Sequence, residues 1–181
     1  MMNVPNALTT LRILLVPVLM ALLLLRFEGR EGAALAVFLL AMLTDTVDGV
    51  LARRTNTVTE LGKLLDPIAD KLLITAAFVC LVEAGSVPAW MAVVIIGREL
   101  AVTGFRAIAA SKGVVIAASW PGKAKVWFET VAIALLILKP AWLGSFAWAP
   151  RVFLWLAMAA AVGSAAALFA AYGPGILRAK P

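Results

Sequence analysis

Long apolar runs separated by short polar segments dominate the pattern along this chain. A helix that crosses a bilayer needs roughly 20 mostly apolar residues, and the bilayer is the natural solvent for runs of this kind. We therefore predict an all-α, polytopic membrane protein with six transmembrane helices. The six runs are Leu11–Leu25, Ala33–Val50, Leu64–Val82, Ala89–Ala110, Val126–Leu138 and Val152–Tyr172. The short fifth run could extend back across Lys125, whose amine can reach the interface from within a span.

Composition supports the same prediction. Of 181 residues, 64% are apolar, and mean hydropathy is +1.01. A soluble domain is about half apolar. Because a small domain leaves much of its surface exposed, a water-soluble core of this size could not bury so many apolar residues. No linker, repeat or low-complexity segment divides the chain, so we expect one domain over residues 1–181. Cleavage of the first run as a signal peptide is not expected, because its basic segment is nearly absent and no small-residue cleavage site follows.

The distribution of charge predicts the orientation. With the N-terminus in the cytoplasm, six spans place the polar segments Arg53–Lys63 and Ser111–Lys125 and the C-terminal tail on the same side. Those segments carry eight cations and the opposite loops carry four: Arg53, Arg54, Lys63, Lys112, Lys123, Lys125, Arg178 and Lys180 against Arg26, Arg30, Lys139 and Arg151. In membrane proteins the loops on the cytoplasmic side carry more lysine and arginine than the opposite loops. We therefore predict that both termini lie in the cytoplasm.

Residue types that are absent or rare exclude several kinds of chemistry. The chain has no histidine, which excludes Ser-His-Asp triads and histidine zinc sites. Its one cysteine, Cys80, lies in an apolar run without metal-ligand spacing, so we interpret it as a packing residue. The net charge of +6 indicates topology and anionic lipid rather than a nucleic-acid partner.

The four aspartates of the chain flank one predicted cytoplasmic loop. Asp45 and Asp48 are three residues apart, and Asp66 and Asp70 are four apart, so each pair shares a helix face. Because the loop is short, we expect the two helices to be antiparallel neighbours whose carboxylates converge. Such carboxylates repel one another beside an apolar region unless cations lie between them. Oxygen ligands suit hard ions, so we predict two Mg²⁺ or Mn²⁺ ions held by all four aspartates.

Two alternatives stay open for the aspartates. They could be helix-end carboxylates that pair with cations of a solvated loop, namely Arg53, Arg54, Lys63 and Lys71. They could also form the metal site of a membrane divalent-metal transporter. A transporter needs polar groups through the full depth of the membrane, whereas these aspartates cluster at one side.

The aspartates belong to a longer pattern that resembles a family signature. From Asp45 to Asp70 the chain reads Asp-x2-Asp-Gly-x2-Ala-Arg-x8-Gly-x3-Asp-x3-Asp, which is similar to the signature of the CDP-alcohol phosphatidyltransferase family. The resemblance implies an enzyme with six transmembrane helices. It implies that Asp45, Asp48 and Asp66 are metal ligands and that Asp70 is both ligand and general base. The residues implied to border the CDP group are Asp45, Asp48, Gly49, Ala52, Arg53, Gly62 and Asp66.

Flanking segments resemble the family members that form phosphatidylglycerol phosphate. They are Asn3–Arg12, Leu65–Lys71, Gly97–Arg106 and Gly122–Lys125. The chain departs from the usual pattern just afterwards, where Val126 and Glu129 stand in place of threonine and glutamine. The resemblance implies transfer of a phosphatidyl group from CDP-diacylglycerol to glycerol 3-phosphate, with release of CMP. Other acceptors, such as inositol phosphate, serine or phosphatidylglycerol, remain alternatives.

A dianionic acceptor needs cations of its own. The candidates for binding the acceptor phosphate are Arg106, Arg98, Lys123 and Lys125. Arg98 could instead form a structural ion pair with Glu99, and the two lysines could be interfacial anchors. The expected partners are therefore CDP-diacylglycerol, glycerol 3-phosphate and membrane lipid. We expect a multi-pass protein of the bacterial inner membrane whose active site faces the cytoplasm, and a homodimer is left open.

Overall fold

The computed structural model describes residues 4–55, 60–117 and 120–178, with side chains described for residues 7–44, 65, 67–117, 120, 122–138 and 142–176. Within these ranges the chain forms six α-helices, one short 3₁₀ turn at Gly144–Phe146 and no strand. The all-α prediction is confirmed. The helices are α1 (Val4–Leu24), α2 (Arg30–Thr55), α3 (Glu60–Glu83), α4 (Ala89–Ser111), α5 (Trp120–Leu143) and α6 (Ala149–Arg178).

Most helices extend beyond the apolar runs that predicted them. Helix α2 continues to Thr55 and α3 begins at Glu60, so much of the predicted loop between them is helical. Helix α5 begins at Trp120, which agrees with an extension of the fifth run back across Lys125. An apolar run marks only the part of a helix that contacts apolar surroundings. Its polar flanks stay helical because alanine, leucine, arginine and lysine are good helix formers.

Two helices end at glycines in the left-handed conformation. Gly85 has φ 71° and Gly113 has φ 75°. After α3, the amide of Ser86 donates to the carbonyl of Leu81 at 2.9 Å, and after α4 the amide of Val114 donates to the carbonyl of Ala109 at 2.9 Å. These bonds between residues five apart are typical of a helix end capped by a left-handed glycine.

Contacts near the helix ends show that successive helices alternate in direction. At one end of the bundle, a small cavity is lined jointly by the end of α1, the start of α2, the end of α3 and the residues Leu136 and Ile137 of α5. At the other end, Lys112 Nζ donates to the carbonyl of Ile176 at 2.8 Å, which joins the ends of α4 and α6. We call this second end, where α2 ends and α3 begins, the aspartate end.

Helix α1 packs between the two helices that carry the aspartates. Among the described residues, α1 contacts both α2 and α3 extensively, whereas direct contact between α2 and α3 is slight. Helices α2 and α3 run in opposite directions, as expected, but over the described residues each contacts α1 far more than it contacts the other. A four-residue connection brings two helix ends together but does not require that their full lengths touch. The buried core includes Leu19, Phe38, Leu73, Phe78, Ile95 and Ile133.

The outside of the bundle is apolar. Exposed side chains include Leu14, Leu43, Val79, Val93, Trp127 and Val162, one from each helix. By length and composition, two segments among the described residues could cross a membrane, Ala7–Leu24 and Gly144–Ile176. A soluble protein rarely exposes large contiguous apolar surface, so these features indicate a membrane protein. The other four helices, α2 to α5, carry more charged residues than these two segments.

Candidate active site

The four aspartates lie near the end of α2 and the start of α3, at the aspartate end of the bundle. Asp45 and Asp48 lie one turn apart on α2, and Asp66 and Asp70 lie one turn apart on α3. Of these, the described side chains include only that of Asp70. The side chains of the other proposed ligands and CDP-binding residues lie outside the described part of the structure, and their assignments stay predictions: Asp45, Asp48, Gly49, Ala52, Arg53, Gly62 and Asp66.

Asp70 is held by an arginine from α1. Arg12 Nη1 donates to Asp70 Oδ1 at 3.1 Å, and Arg12 Nε donates to the carbonyl of Ala41 on α2 at 3.3 Å. The Arg12 side chain is fully buried, whereas that of Asp70 is 46% exposed. Arg12 therefore joins three helices close to both aspartate pairs, and it leaves the Asp70 carboxylate accessible.

No role for Arg12 was predicted from its sequence context. Arg12 is the last residue of a segment that resembles the family. One signal could have identified it, because Arg12 is the only charged residue in the run Leu11–Leu25. A charge inside a membrane span is costly and almost always faces the bundle interior with a partner. A carboxylate at the same depth was therefore to be expected.

The donor set fits the predicted metal ions in its chemistry. Four carboxylates from two adjoining helix ends offer only oxygen, which hard ions such as Mg²⁺ and Mn²⁺ prefer. The chain has no histidine to compete. Among the described side chains no group of three or more possible ligands comes together, and Asp70 is the one aspartate those side chains include. The metal site therefore stays a prediction.

A second cluster of charges lies between α4 and α5, and we call it the charge network. Lys125 Nζ lies 2.7 Å from Glu99 Oε1 and 2.8 Å from Glu129 Oε2. Arg98 Nη1 also donates to Glu99 Oε1. The side chain of Lys125 is 4% exposed and that of Glu129 is 2% exposed. Two cations and two carboxylates thus neutralise one another in the interior.

Arg98 also ties α4 to α6. Its Nε donates to the carbonyl of Ala161 at 3.0 Å, and its Nη2 donates to Ser164 Oγ at 2.7 Å. All three guanidinium nitrogens of Arg98 therefore have partners within the protein. The ion pair with Glu99, held open as an alternative from the sequence, is present. Whether Arg98 also binds the acceptor phosphate stays a prediction.

Arg106 and Lys123 differ from Arg98 and Lys125 in their surroundings. Arg106 lies two turns beyond Glu99, toward the aspartate end of α4. Its Nε is buried and has no hydrogen-bond partner among the described residues. A buried donor without a partner is costly, so an anion bound there would stabilise the site. Lys123 is exposed in the first turn of α5.

Comparison with known proteins places this site in a family. The model of the family described as CDP-alcohol phosphatidyltransferase matches residues 2–163. A CDP-diacylglycerol–glycerol-3-phosphate 3-phosphatidyltransferase of Bacillus subtilis is 44% identical over 172 residues, which cover 87% of this chain and 89% of the relative.

Two further relatives are less fully covered. A probable phosphatidylglycerophosphate synthase of Mycobacterium tuberculosis is 44% identical over 140 residues, which cover 75% of this chain and 66% of the relative. A protein of Rickettsia typhi with the same name as the Bacillus relative is 36% identical over 138 residues, which cover 76% of this chain and 78% of the relative.

Proposed function

This chain belongs to the CDP-alcohol phosphatidyltransferase family, and from that premise we propose that it transfers the phosphatidyl group of CDP-diacylglycerol to glycerol 3-phosphate, giving phosphatidylglycerol phosphate and CMP. The observation that carries the proposal is the similarity to the Bacillus relative, which is named for this reaction and is 44% identical over 87% of this chain. The accessible Asp70 carboxylate, anchored by Arg12, supports the same proposal.

The reaction would be a direct in-line displacement. Asp70 accepts the proton of the primary hydroxyl of glycerol 3-phosphate, as a general base. The hydroxyl oxygen attacks the phosphorus that carries diacylglycerol, a new P–O bond forms, and the bond to the CMP oxygen breaks. Mg²⁺ or Mn²⁺ held by Asp45, Asp48, Asp66 and Asp70 would supply positive charge beside the pyrophosphate. In this proposal Gly49, Ala52, Arg53 and Gly62 border the CDP group.

The acceptor pocket would centre on Arg106. Its buried, unsatisfied Nε supports this placement, because a guanidinium can donate to two phosphate oxygens at once. Lys123, exposed at the start of α5, would add a cation at the mouth of the pocket. In this proposal Arg98 and Lys125 complete the set of acceptor cations, and both are also engaged with Glu99.

The membrane topology is also a proposal. All six helices, from 21 to 30 residues long, have the length that a span requires. The charge network is paired inside the bundle, as charges within a membrane usually are. The excess of cations in the segments at the aspartate end favours a cytoplasmic location of that end. We infer one multi-pass domain in the bacterial inner membrane, with both termini and the active site on the cytoplasmic side.

Release of CMP from CDP-diacylglycerol by the purified protein tests the function. The acceptors to compare are glycerol 3-phosphate, glycerol, inositol phosphate, serine and phosphatidylglycerol. We expect glycerol 3-phosphate to be strongly preferred. Equal rates with glycerol, or CMP release only with inositol phosphate, would contradict the assignment of glycerol 3-phosphate as acceptor. The family assignment would stand. Metal flux into proteoliposomes without any CMP release would instead favour the transporter.

A further inference from the structure

We propose that Arg12 is a positioning residue for the reaction, which holds the Asp70 carboxylate at a fixed place relative to the aspartates of α2. The inference rests on the proposed function, since it assigns Arg12 a part in the same site. Arg12 lies on α1, more than thirty residues before the signature that begins at Asp45.

The first support is the geometry of the Arg12 guanidinium. Its Nη1 donates to Asp70 Oδ1 on α3 at 3.1 Å, while its Nε donates to the carbonyl of Ala41 on α2 at 3.3 Å. Ala41 lies one helical turn before Asp45. A single rigid, planar group therefore sets the distance between the Asp70 carboxylate and the turn of α2 that leads into the first aspartate pair.

The second support is the contrast in exposure between the two partners. Asp70 is 46% exposed, whereas Arg12 is fully buried. A half-exposed carboxylate can rotate among several side-chain conformations. A hydrogen bond from a buried, fixed partner to one carboxylate oxygen restricts the side chain to one of these conformations. A base must lie within hydrogen-bond reach of the proton that it abstracts, so this restriction bears directly on turnover.

The third support is the packing of α1. Among the described residues α1 contacts both α2 and α3 extensively, so α1 helps to fix the relative position of the two helices that carry the aspartates. Arg12 supplies a polar link from α1 to α3 and also bonds to α2. The position of α1 would thus be transmitted to the reacting groups through the Arg12 side chain.

The test compares Arg12→Met, Arg12→Lys, Asp70→Asn and the double variant Arg12→Met/Asp70→Asn. Arg12→Met should lower kcat by about 10- to 100-fold, the loss typical of a displaced catalytic group, with both KM values within about threefold of wild type because substrate contacts are kept. Arg12→Lys should recover part of the loss, since an ammonium keeps the charge but lacks the planar fork. The double variant should be no slower than Asp70→Asn, because Arg12 acts through Asp70.

A matched control comes from Arg30, an arginine that pairs with the adjacent Glu31 at the opposite end of the bundle. Arg30→Met should keep the wild-type kcat. Binding without turnover is followed by the rise in melting temperature that CDP-diacylglycerol produces in the presence of Mn²⁺, and this rise should persist in both Arg12 variants. If Arg12→Met does not fold, the kcat and KM values of Arg12→Lys decide the matter alone.

Three results would overturn the inference. They are a wild-type kcat in both Arg12 variants, a rise in KM at constant kcat, and a double variant slower than Asp70→Asn by the full factor of Arg12→Met. The last would mean that Arg12 stabilises the fold without acting through Asp70. Failure of the proposed function itself is recognised separately, because the wild-type protein would then release no CMP with glycerol 3-phosphate.

Discussion

Lys125 offers a quantitative test of the charge network. Its ammonium lies 2.7 Å from Glu99 and 2.8 Å from Glu129, and its side chain is 4% exposed. Lys125→Met keeps most of the volume and removes the charge. Glu99 would keep its contact with Arg98, but Glu129 would be left as a buried carboxylate without a cation. We therefore expect Lys125→Met to destabilise the protein.

The magnitude follows from the number of charges left without a partner. Removing one member of a buried ion pair costs about 3–5 kcal/mol, and one carboxylate is orphaned here. For a chain of this length, 1 kcal/mol corresponds to roughly 2–4 °C in melting temperature. Lys125→Met should therefore melt roughly 6–20 °C below wild type in detergent, followed by circular dichroism or by a thermal aggregation assay.

Two further variants control this experiment. Lys123→Met removes an exposed lysine from the same helix and should leave the melting temperature nearly unchanged, because exposed charges contribute little. In Lys125→Met/Glu129→Gln no carboxylate is orphaned, so more than half of the lost stability should return. If Lys125→Met melted like Lys123→Met, the interpretation of Lys125 as a buried structural charge would be wrong.

Further predictions concern the metal, the topology and the acceptor. Activity should vanish with excess chelator and return with Mg²⁺ or Mn²⁺; full activity after verified metal removal would contradict the metal site. Cysteines introduced at Asn56 and Lys112 in a Cys80-free background should resist an impermeant thiol reagent in intact cells, and labelling from outside would refute the cytoplasmic location. Arg106→Ala should raise the KM for glycerol 3-phosphate at least tenfold with little change for CDP-diacylglycerol, and Arg106→Lys should recover only part; an equal rise for both substrates would place Arg106 elsewhere.

The sequence predicted the number of helices but not their ends. Apolar runs report where a helix meets apolar surroundings, and that signal is strong when a chain is 64% apolar. The ends depend on the backbone instead. Helices α3 and α4 stop where Gly85 and Gly113 take up positive φ, whereas α2 continues through polar residues to Thr55. Hydropathy carries no information about either kind of ending.

Only those features of the site that depend on a single helix could be predicted from the sequence. The spacing within each aspartate pair is set by a single helix, so it could be deduced from the sequence. The contact between Arg12 and Asp70 joins residues 58 positions apart and depends on how α1 packs against two other helices. A lone cation in an apolar run indicates that a partner exists, but it does not identify that partner among several carboxylates.

One of the two departures from the family pattern that the chain resembles, Glu129, belongs to the charge network. In the family pattern that this segment resembles, position 129 holds glutamine, which is neutral, and here Glu129 supplies the second carboxylate to Lys125. With Arg98 and Glu99 the network then holds two positive and two negative charges, and a glutamine would leave one positive charge in excess. The other departure, Val126, is 45% exposed on the outside of α5, and nothing in the structure explains it. Because Glu129 contacts Lys125 directly, the substitution lowers the net positive charge around one of the cations that we expect to attract the acceptor phosphate.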